Sequence, residues 1–97
     1  MKAVFISYNQ ALNERVMSAL DRQHARGFTK WDLTLGRGSV DGEPHYASHA
    51  WPGMNTSILT IVNEEKVKPL LKMLKEIDES APQHGLRAFV WDITDQM

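Results

Sequence analysis

Six short segments with regular hydrophobic periodicity occupy most of this sequence of 97 residues, and their order limits the folds that the chain can adopt. Two of them have apolar side chains at helical spacing: residues 12–25, and the segment that follows Asn63. The other four have the alternating or continuous apolar patterns of β-strands, at residues 3–8, 28–35, 56–62 and 86–93. The predicted order is therefore strand, helix, strand, strand, helix, strand.

Residues at the ends of the two predicted helices support this division. Asn9 and Asn63 carry side-chain oxygens that can cap a helix N-terminus, and Gly27 suits the left-handed position that follows a helix. Pro69 lies inside the stripe of the second helix, so that helix either begins later than Asn63 indicates or is kinked. The element order predicts one α+β domain over residues 1–97 with a ferredoxin-like βαββαβ fold, in which two helices cover one face of a four-stranded antiparallel sheet.

Both faces of the predicted sheet carry large apolar side chains, although two helices can cover only one face. In the first strand Ile6 alternates with Phe5, and in the last strand Val90 alternates with Phe89 and Trp91. An open antiparallel sheet usually has one polar face, and large exposed apolar patches are rare on monomers. The pattern predicts a homo-oligomer in which another subunit covers the second face; a bulge or an irregular edge is the alternative.

Composition removes several classes of function. The chain has no cysteine, which excludes disulfides and thiolate sites, and its net charge of -1 gives no electrostatic case for nucleic-acid binding. No apolar run approaches the ~20 residues of a membrane helix, and the N-terminus lacks a signal-peptide pattern, so we expect a cytoplasmic protein without membrane insertion. No hydrolase, Walker A or zinc-protease motif is present, which favours a non-enzyme over a small catalytic ferredoxin-like barrel.

The connection between the second and third strands, residues 36–55, is far longer than the usual hairpin loop of about two to five residues. It opens with Gly36-Arg37-Gly38, whose backbone N–H groups could approach a phosphate, although glycine pairs are also common at hairpin ends. A loop of this length predicts a functional segment.

The same segment contains histidines and aromatic residues. His45 and His49 are spaced i, i+4, so on a helical turn they could bind a divalent metal ion; the alternative is two solvated loop histidines. Tyr46 and Trp51 are its aromatic side chains, and Trp51 either docks on a partner protein or packs the loop against the sheet.

The element order, the Gly36-Arg37-Gly38 opening of the loop and the run GLRAFVWDI at residues 85–93 together resemble the PII signal-transduction family. The resemblance spans nearly the whole chain. The CutA family of copper-tolerance proteins, which has the same trimeric ferredoxin-like architecture, is the competing resemblance.

The PII resemblance implies a non-enzymatic homotrimer in signal transduction or nitrogen regulation, with its sheets facing inward. It implies a small effector, such as ATP or ADP, bound in clefts between subunits, and a target transporter or enzyme contacted through residues 36–55, including Tyr46 and Trp51. The ligand-binding residues that it implies are Gly36, Arg37 and Gly38 at the base of this T-loop and Gly85 and Arg87 at the phosphate side of the cleft. The alternative function is metal binding by His45 and His49, as in CutA-like or heavy-metal-responsive PII-like proteins.

Overall fold

The computed structural model describes residues 1–36 and 54–97, and it confirms the predicted ferredoxin-like α+β fold. A four-stranded antiparallel sheet has the strand order β2-β3-β1-β4. The strands are β1 (Lys2–Asn9), β2 (Phe28–Thr34), β3 (Asn55–Val62) and β4 (Arg87–Asp92), and the helices are α1 (Asn13–Arg22) and α2 (Val67–Ser80). Neither helix of the described part of the chain is long and apolar enough to cross a membrane.

The first helix begins as predicted and ends earlier than predicted. The Asn9 side chain accepts a hydrogen bond from the Ala11 N–H at 2.8 Å, and a short 3-10 turn, Gln10–Leu12, leads into α1. His24, with φ of 55°, takes the left-handed conformation that was expected at Gly27. Gly27 is therefore not the residue that ends the helix, and α1 stops at Arg22 rather than at Ala25.

The second helix begins later than Asn63 indicates, which accounts for Pro69. Asn63 makes no capping hydrogen bond with its side chain; its carbonyl oxygen instead accepts from the Lys66 N–H at 3.0 Å. A 3-10 turn, Glu64–Lys66, precedes α2, so Pro69 is the third residue of the helix. The N–H groups of a first helical turn have no partner within the helix, and a proline there removes no hydrogen bond.

The hydrophobic core lies between the two helices and one face of the sheet. Val4, Ile6 and Tyr8 of β1 are completely buried there, together with Ile58 of β3 and Leu70 of α2. We call the opposite side of the sheet the open face. Its side chains belong to the alternate positions of the same strands, as the period of two requires.

The open face has an apolar part, which confirms the predicted two-sided pattern. Phe5 of β1 lies between Leu59 of β3 and Phe89 of β4, and Ala3 lies between Ile61 and Trp91. Within this single chain Phe89 is 59% exposed. A register shift between Trp31 and Thr34 interrupts the alternation that was predicted for β2.

Candidate functional site

A cleft of about 510 Å³ opens at the end of the open face where β3 begins and β4 begins. We call it the Arg87 cleft. The described residues that line it are Phe5, Ser7, Gly36, Asn55, Gly85, Arg87 and Phe89. The strand register explains why these residues meet, because Ser7 pairs with Ser57 on one side and with Arg87 on the other. Distant parts of the sequence thus form one site.

Gly36 and Asn55 close one side of the cleft. A Cβ atom on Gly36 would lie 2.8 Å from the Asn55 Nδ2 atom, which is closer than non-bonded atoms approach. Asn55 is 4% exposed, and its Nδ2 donates a hydrogen bond to the Ser7 Oγ at 3.1 Å. A residue with a side chain at position 36 would therefore have to displace the buried Asn55 amide.

Gly85 forms the opposite side of the cleft and directs the chain into β4. It has φ of 63°, a left-handed conformation that costs a residue with a side chain about 1–2 kcal/mol. Its N–H donates to the Pro82 carbonyl at 3.2 Å and closes the 3-10 turn Pro82–His84. This turn fixes where β4 starts, and Arg87 is the first residue of that strand.

Arg87 provides the charge of the cleft. Among the described lining residues it is the only one with a charged side chain. Its Nη1 atom donates to the Leu86 carbonyl at 2.6 Å and lies 3.4 Å from Oδ1 of Asp78 on α2. A guanidinium presents several donors in a planar fork that matches phosphate and carboxylate oxygens, so the cleft is chemically suited to an anion.

The structure brings three of the five predicted ligand-binding residues together, because Gly36, Gly85 and Arg87 all line this cleft. The other predicted site residues are Arg37, Gly38, His45, Tyr46, His49 and Trp51, and they lie outside the described residues. Within residues 1–36 and 54–97, no group of three or more His, Asp or Glu side chains is placed to hold a metal ion. Metal binding by His45 and His49 stays a prediction.

Sequence reasoning missed Ser7, Asn55 and the apolar pair Phe5 and Phe89 as lining residues. Ser7 is a polar residue in an otherwise apolar strand, and Asn55 starts the most apolar strand, so each carried a weak signal. Only the register of β1 with β3 and β4 places them next to Arg87. Asp78, which contacts Arg87 from α2, gave no such signal.

Three other titratable groups with a shifted pKa have structural roles. The Tyr8 hydroxyl donates to Asn13 Oδ1 at 2.7 Å, and burial, followed by the charge of Asp32, raises the pKa of Tyr8. At the far end of the sheet Lys2 is hydrogen-bonded to Asp92. That hydrogen bond raises the pKa of Lys2 and lowers the pKa of Asp92. None of the three lines the Arg87 cleft.

The sequence was compared with models of known protein families and matches one of them. The family model described as nitrogen regulatory protein P-II matches residues 1–97. No curated protein matches the sequence.

Solved structures of PII-like proteins have the same fold. CPII of Thiomonas intermedia K12, bound to ADP, AMP and bicarbonate, is 26% identical with a TM-score of 0.78, and the match covers 95% of this chain and 84% of that chain. The same protein bound to ADP and bicarbonate is 29% identical, with a TM-score of 0.76 and the same coverage. A protein from Thermus thermophilus, assigned to PII-like signalling, is 32% identical with a TM-score of 0.67, over 95% of this chain and 85% of that chain.

Proposed function

This chain belongs to the nitrogen regulatory protein P-II family, and from that membership we propose that it is a non-enzymatic regulator with an adenine nucleotide as its effector. In this proposal the nucleotide binds in the Arg87 cleft, and residues 36–55 contact a target protein. The observation that carries the proposal is the meeting of Gly36, Gly85 and Arg87 at one cleft. Gly36 follows β2, Gly85 precedes β4, and Arg87 is the first residue of β4. All three are positions that the family resemblance implies for a ligand.

Each group in the cleft has a defined task in this proposal. The Arg87 guanidinium binds phosphate oxygens through charge-assisted hydrogen bonds. Gly85 leaves the backbone open to a close approach by the ligand, since it has no side chain, whereas Gly36 makes room for the Asn55 amide. Phe5 and Phe89 reduce the access of water on one side, which strengthens the interaction of unlike charges.

A small planar anion is a second ligand that the cleft suits. The relatives from Thiomonas intermedia were solved with bicarbonate together with ADP. In this chain the Ser7 hydroxyl and the Asn55 amide line the same cleft as the Arg87 guanidinium. Those groups match the oxygens of a carbonate or carboxylate, so we include bicarbonate as a candidate co-ligand.

A homotrimer is part of the proposal because the open face needs a cover. Phe89, Trp91 and Ile61 are exposed on that face in the single chain, and burying apolar area contributes about 25 cal/mol per Å². The Arg87 cleft lies at the polar end of the same face. A neighbouring subunit that covers the apolar part would therefore also form a wall of the cleft.

The attachment of residues 36–55 supports the proposal that this segment contacts a target. Gly36 and Asn55, its first and last residues, both line the Arg87 cleft. A ligand in the cleft therefore touches both attachment points at once. This arrangement gives a physical route by which occupancy of the cleft can change how the segment meets a target.

Native mass spectrometry of the full chain tests the proposal. The protein is measured alone and with ADP, ATP, AMP or sodium bicarbonate, and GDP is the control for base selectivity. We expect a trimer of the 11.0 kDa chain that retains one adenine nucleotide per subunit. A monomer that retains none of these ligands would overturn the proposal.

A further inference from the structure

Arg87 borders two clefts on opposite sides of the sheet. It lines the Arg87 cleft on the open face and also a cleft of about 280 Å³ on the helix side, between α2 and β4. Asp78 and Lys75 of α2 line this second cleft. Arg87 belongs to an edge strand, so no further strand separates its side chain from either cleft.

The contacts of the Arg87 side chain lie on the side of the second cleft. Its Nη1 lies 3.4 Å from Asp78 Oδ1 and donates to the carbonyl of the preceding residue, Leu86, at 2.6 Å. Both partners of the ion pair are partly exposed, at 40% for the Arg87 side chain and 30% for that of Asp78. A partly exposed pair of this kind is weak enough to exchange partners.

On the basis of the proposed function, we infer that Asp78 is a built-in competitor for Arg87 and thereby lowers the affinity of the Arg87 cleft for anionic ligands. The Asp78 carboxylate accepts from Nη1, one of the two terminal nitrogens that a ligand phosphate would need in order to bind the guanidinium with both arms. Binding the ligand with both arms of the guanidinium therefore breaks the contact with Asp78. Asp78 acts through Arg87, and it is a positioning residue rather than a ligand-binding one.

The surroundings of Asp78 lower the cost of releasing Arg87 to a ligand. Lys75 stands three residues earlier on α2 and lines the same cleft, so the Asp78 carboxylate keeps a cationic neighbour after Arg87 leaves. When the ligand binds, the Arg87 guanidinium exchanges its contact with Asp78 on α2 for a contact with the ligand on the open face. Occupancy of the cleft is then sensed by the helix as well as by the base of residues 36–55.

Calorimetric titration of the full chain with ADP tests the competition. Asp78→Asn keeps the size of the side chain and removes its charge, and we expect it to bind ADP roughly 2- to 5-fold more tightly than the unmodified chain. Glu79→Gln is the matched control, because it removes the same charge from the neighbouring residue, and we expect it to change the affinity less than about 1.5-fold. Loss of a purely structural contact would weaken binding, which is the opposite sign.

The outcomes of this titration separate the inference from the proposed function. If the unmodified chain binds no ADP, the proposed nucleotide function fails, and the inference fails with it. If it binds ADP and Asp78→Asn binds equally or more weakly, only the competition is overturned. An equal gain in Glu79→Gln would also overturn it, because the effect would then be one of general charge. Asp78→Ser provides a second neutral variant in case Asp78→Asn does not fold, and thermal unfolding without ligand checks both.

Discussion

The two ends of the open face contain different chemistry although the same strands form both. Toward Trp91 and Ile61 the face is apolar, whereas toward Gly36 it is formed by Ser7, Asn55 and Arg87. The apolar end suits contact with another subunit, and the polar end suits an anion. One strand can therefore contribute to two different sites on the same face. Side chains two residues apart point to the same face, but they contact different residues.

The largest expected effect comes from placing a charge in the apolar end. Trp91→Asp would bury a carboxylate without a partner in the proposed subunit interface, which costs several kcal/mol. We expect the proposed trimer to dissociate to monomers in size-exclusion chromatography with light scattering. Met97→Asp is the control, since Met97 is a fully exposed apolar residue. An unchanged oligomer in Trp91→Asp would refute the role of the apolar end.

The second prediction concerns the polar end. Arg87→Gln removes the charge that we propose binds phosphate, and hydrogen bonds to charged groups contribute about 1.5–3 kcal/mol. We therefore expect ADP affinity to fall roughly 10- to 100-fold in calorimetry, with the oligomeric state unchanged. Arg22→Gln, at the end of α1, should bind normally. Dissociation of the trimer by Arg87→Gln would show that the two ends are not separable.

A third prediction tests the neck between Gly36 and Asn55. Gly36→Ala places a Cβ 2.8 Å from Asn55 Nδ2, so the buried amide must move away from Ser7. We expect a loss of about 1–2 kcal/mol in the free energy of unfolding, measured with urea, and weaker binding of ADP. Gly27→Ala is a matched control with nothing within 4 Å of the added Cβ, and its change should stay within about 0.5 kcal/mol. Equal effects of the two substitutions would argue against a tight neck.

The smallest expected effect is a pH dependence of the Lys2–Asp92 pair, which lies at the same end of the sheet but with Lys2 on the helix side. The lowered pKa of Asp92 means that its contribution to stability is present above its unfolded pKa, ~3.9, and is lost as pH falls through the folded value. The raised pKa of Lys2 adds a contribution that is lost only as pH rises beyond about 10.5. Asp92→Asn should therefore lower the thermal midpoint slightly at pH 7, and the difference should shrink progressively as the pH falls below about 3.9. A difference that does not shrink over this acidic range would exclude the ion pair as its cause.

Periodicity along the chain predicted the fold, because burial of one face imposes a period on each element. The alternation in β1 and the stripe of α2 are examples, and both survive in the structure. The residue types at the helix ends predicted the helix boundaries less well. His24 takes a left-handed conformation that sequence rules assign first to glycine, and α1 therefore ends before Gly27.

The candidate site was only partly predictable, since its members meet through tertiary pairing. Gly36, Gly85 and Arg87 came from a family resemblance that spans the chain. Ser7 joins them through the register of β1, and Asp78 through the packing of α2 on the sheet. Neither arrangement is encoded in a local pattern of spacing.

The contact between Gly36 and Asn55 also bears on how this chain can change over evolutionary time. Gly36 and Asn55, which flank residues 37–54, lie close together at the neck. The sheet can therefore keep its geometry when the sequence between them changes. Doubling the length of a loop closed in this way costs only about 0.6 kcal/mol of closure entropy. Insertions and new recognition sequences can therefore accumulate between the two attachment points without refolding the sensor. In the proposed function, the neck would let the segment between its ends change its target while the ligand site stays the same.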